Sequence, residues 1–350
     1  MDIQKAAFAF QMEGKPITCA RFGSGHINQT YMVTTSHGRS YVLQHINRNV
    51  FRDPVGLMEN ASGVTEFIRA KGGRALCFLR TAEGHSCHRD EAGEYWRAYE
   101  YVGGLCMDAA ESPEDFYQSG LAFGRFQHQL SDYPAATLHE TIPNFHNTPD
   151  RFRQLRQAIE EDRSGRLHTC RPEVEFYLSQ EALGCRLQAM LESGQLPLRV
   201  THNDTKLNNV LLDPVTHAPL CVLDLDTVMP GLAAFDFGDS IRFGAATAAE
   251  DEPDASKMKL DIGLFEAFTR GFLEGAPSLT PQEVDTLPLG AFTMTLECGS
   301  RFLADYLNGD TYFRVAYPEH NLIRTRTQIA MCADMLRRWD EMTAVIEKLR

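Results

Sequence analysis

The sequence lacks the features that would place it in a membrane or on nucleic acid. No stretch approaches the run of about 18 apolar residues that a membrane-spanning helix needs. Positive charge is scarce, since 34 Lys and Arg residues stand against 47 Asp and Glu residues and the formal net charge is −13. We therefore expect neither nucleic acid nor an anionic membrane surface as a partner. A nucleotide is still allowed, because a local basic cluster or a bound metal can outweigh the global charge.

The spacing of the cysteines excludes the common cysteine frameworks. The nine cysteines are odd in number and scattered, and no two of them form a C-x-x-C pair. We expect neither a zinc framework nor disulfides, and reduced thiols are typical of a cytoplasmic protein. The first residues, MDIQKAAFAFQMEGKP, lack the basic start and the long apolar run of a secretory signal, which supports the same expectation.

The chain is long enough for two lobes, and its first part has the pattern of a small sheet. At 350 residues it exceeds what one hydrophobic core usually serves. Alternating apolar residues separated by turns predict an antiparallel sheet over residues 1–102. One helix is predicted at 54–71, where apolar residues recur with helical spacing at Leu57, Ala61, Val64 and Ile68. The pair Gly103-Gly104 could act as a hinge.

Residues 103–350 are predicted to be mainly helical. Apolar spacing and helix-start signals indicate helices at 113–131, 148–163, 171–193, 257–274, 281–308 and 320–349. Two short apolar stretches, 209–213 and 220–226, flank a turn and predict a β-hairpin within this helical part.

A polar segment before a predicted strand carries the groups that phosphoryl transfer needs. In THNDTKLNNVLL, Asp204 could accept a proton from a hydroxyl, and Asn209 could hold a metal through its amide oxygen. The next strand delivers Asp224, a carboxylate suited to Mg²⁺. A lone aspartate before a strand is more often a turn or cap residue, but H-x-D-x-x-x-x-N followed by a hairpin and D-x-D is far more specific. The combination favours a base and a metal site for phosphoryl transfer.

This pattern resembles the catalytic and metal motifs of the aminoglycoside phosphotransferase and choline kinase superfamily, and the resemblance spans nearly the whole chain. It implies an α+β, bilobal kinase-like fold. The small antiparallel-sheet lobe at 1–102 would bind the nucleotide, and the helical lobe at 103–350 would hold the catalytic loop and the acceptor site. The resemblance also implies ATP as co-substrate, Mg²⁺ as cofactor, and transfer to an alcohol, with Asp204 as the base and His202 as a support of its loop.

Longer strings are similar to one branch of that superfamily, whose members phosphorylate the anomeric hydroxyl of N-acetylglucosamine or N-acetylgalactosamine. These strings are FGSGHINQTY, THNDTKLNNVL, DLDTVMPG, FDFGDSIRFGA, RFLADYL and YPEHNLIRTRTQI. They imply an amino-sugar acceptor. The same fold acting on choline, homoserine or methylthioribose is an alternative, although a choline site would need an aromatic cage that the sequence does not reveal.

Four aspartates in CVLDLDTVMPGLAAFDFGDS compete for the metal. The resemblance assigns the metal to Asp224, and Asp226, two residues on, would share its strand face and could join the site. Asp236 opens a D-F-G triplet with the letters of a kinase metal motif. The resemblance implies instead that Asp236 begins a helix and supports the catalytic loop through hydrogen bonds to amides of 202–204. For Asp239 we expect only a favourable interaction with the N-terminal dipole of that helix.

The segment FGSGHINQTY lies between two predicted strands and fits the loop that covers phosphates in a kinase-like small lobe. A Gly-x-Gly turn alone is weak evidence, since ordinary hairpins use it, and the segment is not a Walker A loop. Its amides and side chains could reach phosphate oxygens, and residues 99–102 could contact adenine. The predicted nucleotide-binding residues are Gly23, Ser24, Gly25, His26, Ile27, Asn28, Thr30, Gln44, Glu100, Tyr101 and Val102.

One position departs from the kinase-like pattern. The third strand, SYVLQHI, has Gln44 where a Lys or Arg usually pairs with a helix Glu to hold the phosphates. Glutamine can donate a hydrogen bond but supplies no charge, and Glu59 on the next helix is left to be an exposed residue. Either metal and loop amides suffice, or the protein is a weak kinase or a pseudokinase. The intact Asp204, Asn209 and Asp224 favour the first alternative.

The acceptor site is less clearly marked. Glu297, Arg301 and Asp305 recur every four residues and so share one face of the predicted helix at 281–308. They could form a salt-bridge ladder or contact the acceptor, and the resemblance favours Arg301 as a sugar contact. Lys206 could steady the transferring phosphoryl group or simply be exposed. The predicted substrate residues are Lys206, Arg301, Asp305, Tyr312 and Tyr317.

Overall fold

The computed structural model describes residues 2–23 and 27–350. Ser24, Gly25 and His26, which are predicted to belong to the phosphate loop, lie outside the described residues. The chain forms two compact units. The first contains residues 1–106, 129–143 and 211–230, and the second contains 107–128, 144–210 and 231–350. The division of the functional lobes at residue 102 stays a prediction.

The strands and helices follow one another in an α+β order. The strands are β1 (Pro16–Arg21), β2 (Gln29–Thr35), β3 (Ser40–Ile46), β4 (His88–Arg89), β5 (Tyr95–Glu100), β6 (Arg199–Thr201), β7 (Val210–Leu212), β8 (Pro219–Val222) and β9 (Met229–Gly231). The helices are α1 (Ile3–Phe8), α2 (Pro54–Ala70), α3 (Pro113–Gln129), α4 (Thr148–Glu161), α5 (Arg171–Gly184), α6 (Arg186–Glu192), α7 (Ala233–Gly244), α8 (Ile262–Gly275), α9 (Pro281–Asp285), α10 (Leu287–Leu307), α11 (His320–Arg337) and α12 (Trp339–Leu349).

The first unit is built on a five-stranded antiparallel sheet in the order β1-β2-β3-β5-β4. One face packs against α1, where Leu43 and Trp96 are buried with Phe10. The predicted hairpin is confirmed, because β7 pairs with β8. The sheet therefore places β3 and β5, which are distant in sequence, side by side.

Helix α2 forms for local reasons and is held by a buried amide. The side chain of Asp53 accepts a hydrogen bond from the amide of Gly56, which caps the first turn. The four predicted apolar positions of this helix are all buried. Asn60 donates from Nδ2 to the carbonyl oxygens of His139 at 2.8 Å and Val228 at 3.0 Å. These bonds join segments 129–143 and 211–230 to α2 within the first unit.

Three predicted long helices are each two helices in the structure. The region 281–308 divides into α9 and α10, 171–193 into α5 and α6, and 320–349 into α11 and α12. In the first case Thr280 forms a capping box with Glu283, and Pro288 lies in the first turn of α10. Proline lacks the amide hydrogen that a continuing helix would use but is tolerated in a first turn. The prediction of a single helix over 281–308 is therefore wrong, because the helix is interrupted at Thr286.

Helices α7 and α10 approach closely at two glycines of the second unit. A Cβ atom on Gly238 would lie 2.2 Å from the carbonyl oxygen of Gly290, and a Cβ atom on Gly290 would lie 2.3 Å from that of Ala234. No larger side chain fits either position without displacing backbone. The glycine of the D-F-G triplet is thus needed for helix packing. In the described part of the chain, no helix is long and apolar enough to span a membrane.

Candidate active site

The predicted catalytic base lies in a short loop that follows β6 in the second unit. Asp204 is half-buried, and its Oδ1 accepts a contact from Lys206 Nζ at 2.8 Å. Asn209 Nδ2 donates to Asp204 Oδ2 at 3.1 Å and to the Asp204 carbonyl oxygen at 2.8 Å. Asn203 has a φ of 65°, in the left-handed region that asparagine tolerates better than most residues. The structure therefore brings Asp204, Lys206 and Asn209 together.

These contacts determine how the neighbouring groups are oriented. A carboxylate only accepts hydrogen bonds, so Asn209 must turn its nitrogen towards Asp204, and its amide oxygen then points the other way. Burial alone would lower the pKa of Lys206, but the adjacent Asp204 carboxylate outweighs burial and the pKa is raised. Lys206 is therefore an ammonium ion at neutral pH.

Asp236 contacts the backbone directly before Asp204. The side chain is 0% exposed and accepts hydrogen bonds from the amides of His202 at 2.9 Å and Asn203 at 2.8 Å. A third hydrogen bond comes from Gln127 Nε2 at 2.6 Å. Burial raises the pKa of Asp236 despite His202 and these donors, which lower it. Both amides belong to segment 202–204, which the sequence analysis expected Asp236 to contact. The role of Asp236 as a support of the catalytic loop stays a proposal.

Asp239 and Ser240 make further contacts to the same loop that the sequence did not predict. Asp239 accepts a hydrogen bond from the amide of Thr205 at 3.0 Å and forms an ion pair with Arg242. Ser240 Oγ donates to the carbonyl oxygen of Thr205 at 2.7 Å. The interpretation of Asp239 as a helix-dipole residue is wrong, because α7 begins at Ala233 and Asp239 lies beyond its first turn. The polar residues of D-F-G-D-S were the only sign of these contacts in the sequence.

His146 links helix α10 to the catalytic loop and was also missed. Its Nδ1 lies 2.8 Å from Glu297 Oε1, and its Nε2 lies 3.4 Å from the carbonyl oxygen of Asn203. Glu297 is buried and also accepts a hydrogen bond from Thr148 Oγ1 at 2.8 Å. Burial would raise the pKa of Glu297, but His146 and two arginines outweigh burial and the pKa is lowered. Glu297 is therefore a buried carboxylate anion.

A cavity of about 330 Å³ in the second unit contains three of the predicted substrate residues. These residues are Arg301, Asp305 and Tyr312. Arg301 Nη2 donates to the Tyr312 hydroxyl at 3.3 Å, and its guanidinium lies 5.8 Å from the ring of Phe145 and 5.5 Å from that of Phe313. No ion pair joins Arg301 to Glu297 or Asp305 among the residues described, so the alternative of a salt-bridge ladder is wrong.

Asp305 shapes the rim of this cavity. Its Oδ1 accepts hydrogen bonds from the amides of Thr311 at 2.9 Å and Tyr312 at 2.8 Å, and its Oδ2 accepts one from Phe313 at 3.0 Å. The carboxylate thus holds the loop that carries Tyr312. Tyr317 does not line the cavity and instead stacks on His320.

Arg151 lines the cavity as well and was not predicted. Its Nη2 donates to the carbonyl oxygen of Phe145 at 2.7 Å. Burial and the nearby charge of Arg301 lower its pKa. In the sequence, Arg151 is marked only by its position near the start of α4, after the Thr-Pro-Asp helix start, and this position does not indicate a cavity.

The two aspartates of L-D-L-D have different environments in the first unit. Asp224 is exposed and has a φ of 52°, in the left-handed region. Asp226 is 4% exposed and lies in the 3₁₀ turn Leu225–Thr227. The expectation that they share a strand face is wrong, because β8 ends at Val222. Asp226 instead contacts Arg97 Nη1 through Oδ1 and accepts a hydrogen bond from Asn28 Nδ2 through Oδ2 at 2.6 Å.

Predicted nucleotide-binding residues of the first unit lie on and beside the sheet. Asn28, Thr30 and Gln44 lie close to Arg97, which is buried and was missed by the sequence. In the sequence, Arg97 is marked only as a residue of the predicted strand β5. A strand pattern does not show whether an arginine faces the interior or the solvent.

Residues 100–102 of the predicted adenine segment are exposed, and Tyr99 is half-buried. Tyr101 and Val102 are exposed directly after β5, with Glu100 as the last strand residue. The ring of Phe22 contacts that of Tyr101 edge-on at 5.9 Å. The carbonyl oxygen of Ile27 accepts a hydrogen bond from Asn47, and Gly23 has a φ of 73°.

The remaining predictions from the sequence concern a helix residue and the metal ligands. Glu59 is exposed, as expected, and pairs with His139 at 2.7 Å. Within residues 2–23 and 27–350, no group of three or more His, Cys, Asp or Glu side chains is arranged to hold a metal. The predicted ligands Asp224 and Asp226 lie in the first unit and Asn209 in the second. Their amide and carboxylate oxygens are the donors that Mg²⁺ prefers.

Comparison with known proteins identifies the family. A model of the phosphotransferase enzyme family matches residues 18–271. Similar solved structures include the microcompartment-associated aminopropanol kinase, with a TM-score of 0.65 and 17% identity over 97% of this chain and 97% of that chain. The amicoumacin kinase in complex with AMP-PNP and Ca²⁺ has a TM-score of 0.61 and 16% identity over 93% and 91%. Choline kinase from Cryptosporidium parvum has a TM-score of 0.55 and 13% identity over 95% and 92%.

At these identities the structural likeness concerns the fold, and it confirms the predicted kinase-like α+β class. Because the family model spans more than half of the sequence, the chain belongs to the phosphotransferase enzyme family.

Proposed function

We propose that the chain transfers the γ-phosphoryl group of ATP to the anomeric hydroxyl of an N-acetylhexosamine and so produces a sugar 1-phosphate. Family membership supports phosphotransfer, and the identity of the acceptor is the proposal. The observation that carries it is Arg301, which faces aromatic rings and the Tyr312 hydroxyl in a cavity of about 330 Å³ instead of pairing with a carboxylate.

Asp204 is the base of the proposed reaction. It accepts the proton of the sugar hydroxyl as the oxygen attacks the γ-phosphorus and the bond to ADP breaks. Asn209 and Lys206 hold the two carboxylate oxygens, which orients them for the incoming hydroxyl. Lys206 also offers a positive charge beside the transferring group. His202 and Asp236 support this loop, since Asp236 accepts a hydrogen bond from the amide of His202.

Asn209 and Asp224 are the proposed Mg²⁺ ligands. The nitrogen of Asn209 is engaged by Asp204, which leaves its amide oxygen for a cation. Bound Mg²⁺ would neutralise charge on the phosphates of ATP. Asp226 was predicted as a possible third metal ligand, but its two carboxylate oxygens already contact Arg97 and Asn28.

The charge of the cavity supports a neutral acceptor over an amine. Two similar structures are named as an aminopropanol kinase and a choline kinase. Aminopropanol and choline are cations at neutral pH. In this chain Arg151 and Arg301 line the cavity, and its acidic residues are already engaged, Glu161 with Arg163 and Asp305 with backbone amides. A cation would be repelled there, whereas hydroxyl and acetamido oxygens can accept hydrogen bonds from guanidinium groups.

The experiment is an ADP-release assay with ATP, Mg²⁺ and a panel of acceptors. The panel contains N-acetylglucosamine, N-acetylgalactosamine, choline, ethanolamine, homoserine and methylthioribose. We expect turnover on at least one N-acetylhexosamine, and phosphorus NMR should show an acid-labile anomeric phosphate. Turnover confined to an amine would refute the acceptor proposal, and binding of ATP without turnover on any alcohol would favour the pseudokinase alternative.

A further inference from the structure

Three laterally paired residues form a polar row across the sheet of the first unit. Thr30 of β2 lies opposite Gln44 of β3, and Gln44 lies opposite Arg97 of β5. Gln44 Nε2 donates to Thr30 Oγ1 at 3.0 Å, and Arg97 Nε donates to Gln44 Oε1 at 2.8 Å. Residues directly opposite each other on neighbouring strands project to the same face. The row is therefore one chain of hydrogen bonds on a single face of the sheet.

The row ends in a buried ion pair. Arg97 is 3% exposed and contacts the Asp226 carboxylate, which also accepts a hydrogen bond from Asn28. Burial would lower the pKa of Arg97, but Asp226 outweighs burial and the pKa is raised. A buried charge pair is costly to desolvate and is often replaceable by apolar residues without loss of stability. Its location beside three predicted nucleotide residues therefore suggests a use beyond packing.

Arg97 determines the orientation of the Gln44 amide. A guanidinium group has donors and no acceptor, so Gln44 must present its oxygen to Arg97 and its nitrogen to the opposite side. The nitrogen carries two hydrogens, of which Thr30 accepts one. Among the described residues the second has no acceptor, so it can donate to a ligand oxygen. Without Arg97, nothing in the row would distinguish the oxygen of the amide from its nitrogen.

We propose that Arg97 is the positioning residue that replaces the missing strand cation of the nucleotide site. The positive charge lies one strand away from its usual place, it is held there by Asp226, and it turns the amide nitrogen of Gln44 towards a nucleotide phosphate. This inference rests on the proposed ATP-dependent function, since it assigns Gln44 to the triphosphate. It also gives Asp226 a role that it exerts through Arg97.

The test measures the affinity of the full chain for AMP-PNP by isothermal titration calorimetry, with and without Mg²⁺. Arg97→Met should weaken binding by roughly 10- to 100-fold, the value of one charge-assisted hydrogen bond. Arg80→Met is the matched control, because Arg80 belongs to the same unit and forms an exposed pair with Glu66. The affinity of Arg80→Met for AMP-PNP should equal that of the wild type. The KM for ATP should rise in Arg97→Met while the KM for the acceptor stays constant.

Two further variants keep the test decisive if Arg97→Met is unstable. Arg97→Met with Asp226→Asn removes both charges, so it should melt near the wild-type temperature and still bind AMP-PNP weakly. Gln44→Lys with Arg97→Met moves the cation back to β3 and should recover most of the affinity. Wild-type affinity in the first double variant, or no recovery in the second, would overturn the inference.

The same measurements separate this inference from the proposed function. If no amino sugar is phosphorylated but AMP-PNP binding still depends on Arg97, the acceptor proposal fails and the inference stands. If amino sugars are phosphorylated and AMP-PNP binding is indifferent to Arg97, the inference fails and the proposed function stands.

Discussion

The carboxylate of Asp204 lies 2.8 Å from the ammonium group of Lys206, and Asn209 donates to its other oxygen. Both oxygens are therefore oriented by donors from the same short loop. Asp204→Asn replaces one acceptor oxygen with a donor nitrogen, which faces Lys206 or Asn209 unfavourably and cannot take a proton. We expect the rate of ADP release to fall by roughly 10²- to 10⁴-fold.

Thermal unfolding is the companion measurement for Asp204→Asn. The melting temperature should stay close to that of the wild type, because Asp204 is only half-buried. Asp285→Asn, at an exposed aspartate that pairs with Arg350, is the control and should keep full activity. An unchanged rate in Asp204→Asn would refute its role as the base.

Arg301→Ala should weaken binding of the acceptor and leave binding of the nucleotide unchanged. The variant removes the guanidinium that lies among Phe145, Tyr312 and Phe313. We expect the KM for the amino sugar to rise by roughly 10-fold or more, as for loss of one hydrogen bond to a charged group. The KM for ATP should not change. Arg186→Ala, at an exposed arginine of α6, is the matched control. Equal effects on both KM values would argue against a sugar contact.

Asp236→Asn should loosen the catalytic loop. Both oxygens of Asp236 accept hydrogen bonds from nitrogen donors, so an amide nitrogen in place of one oxygen would face a donor. We expect unfolding to become easier by about 1–3 kcal/mol and the rate of turnover to fall. Hydrogen exchange of the amides of His202 and Asn203 should become faster. Normal protection of both amides would show that Asp236 does not hold the loop.

Gly238→Ala should test the packing role of the D-F-G glycine. A Cβ atom there meets the carbonyl oxygen of Gly290 at 2.2 Å, so helices α7 and α10 must separate. We expect a loss of about 1–3 kcal/mol in the free energy of unfolding. Gly103→Ala is the control, since a Cβ atom at Gly103 meets nothing within 4 Å. Comparable stability of the two variants in denaturant titrations would contradict this account.

Glu297 should make a pH-dependent contribution to stability. Its pKa is lowered in the folded protein, so its carboxylate stabilises the fold fully above the unfolded value of about 4.3. This contribution is lost as the pH falls through the lower folded value. Glu297→Gln should therefore be less stable than the wild type at pH 7, and the difference should shrink below about pH 4.3. Urea titrations at several pH values would measure it, and a difference independent of pH would contradict the prediction.

Features that depend on neighbours in the sequence were predictable. The apolar positions of α2, the hairpin β7–β8 and the loop that carries Asp204 and Asn209 were all expected. Helical spacing, turn residues and a short polar motif each act over a few residues, so the sequence alone contains them. The same local logic failed where an element ended early. Asp226 left the strand face because β8 stops at Val222, and a helix start at Thr286 divided the helix predicted at 281–308.

The sequence by itself determined the class of fold, and it pointed to Asp204 as the candidate base because the motif around Asp204 is contiguous. Only the tertiary structure decided which distant groups meet. Arg97 and Asp226 are 129 positions apart, and His146 and Glu297 are 151 apart, yet each pair is in contact. No spacing rule connects such residues, since their distance depends on how strands align across a sheet and how helices pack. The charge absent at Gln44 is therefore visible at Arg97 only after β3 and β5 have paired.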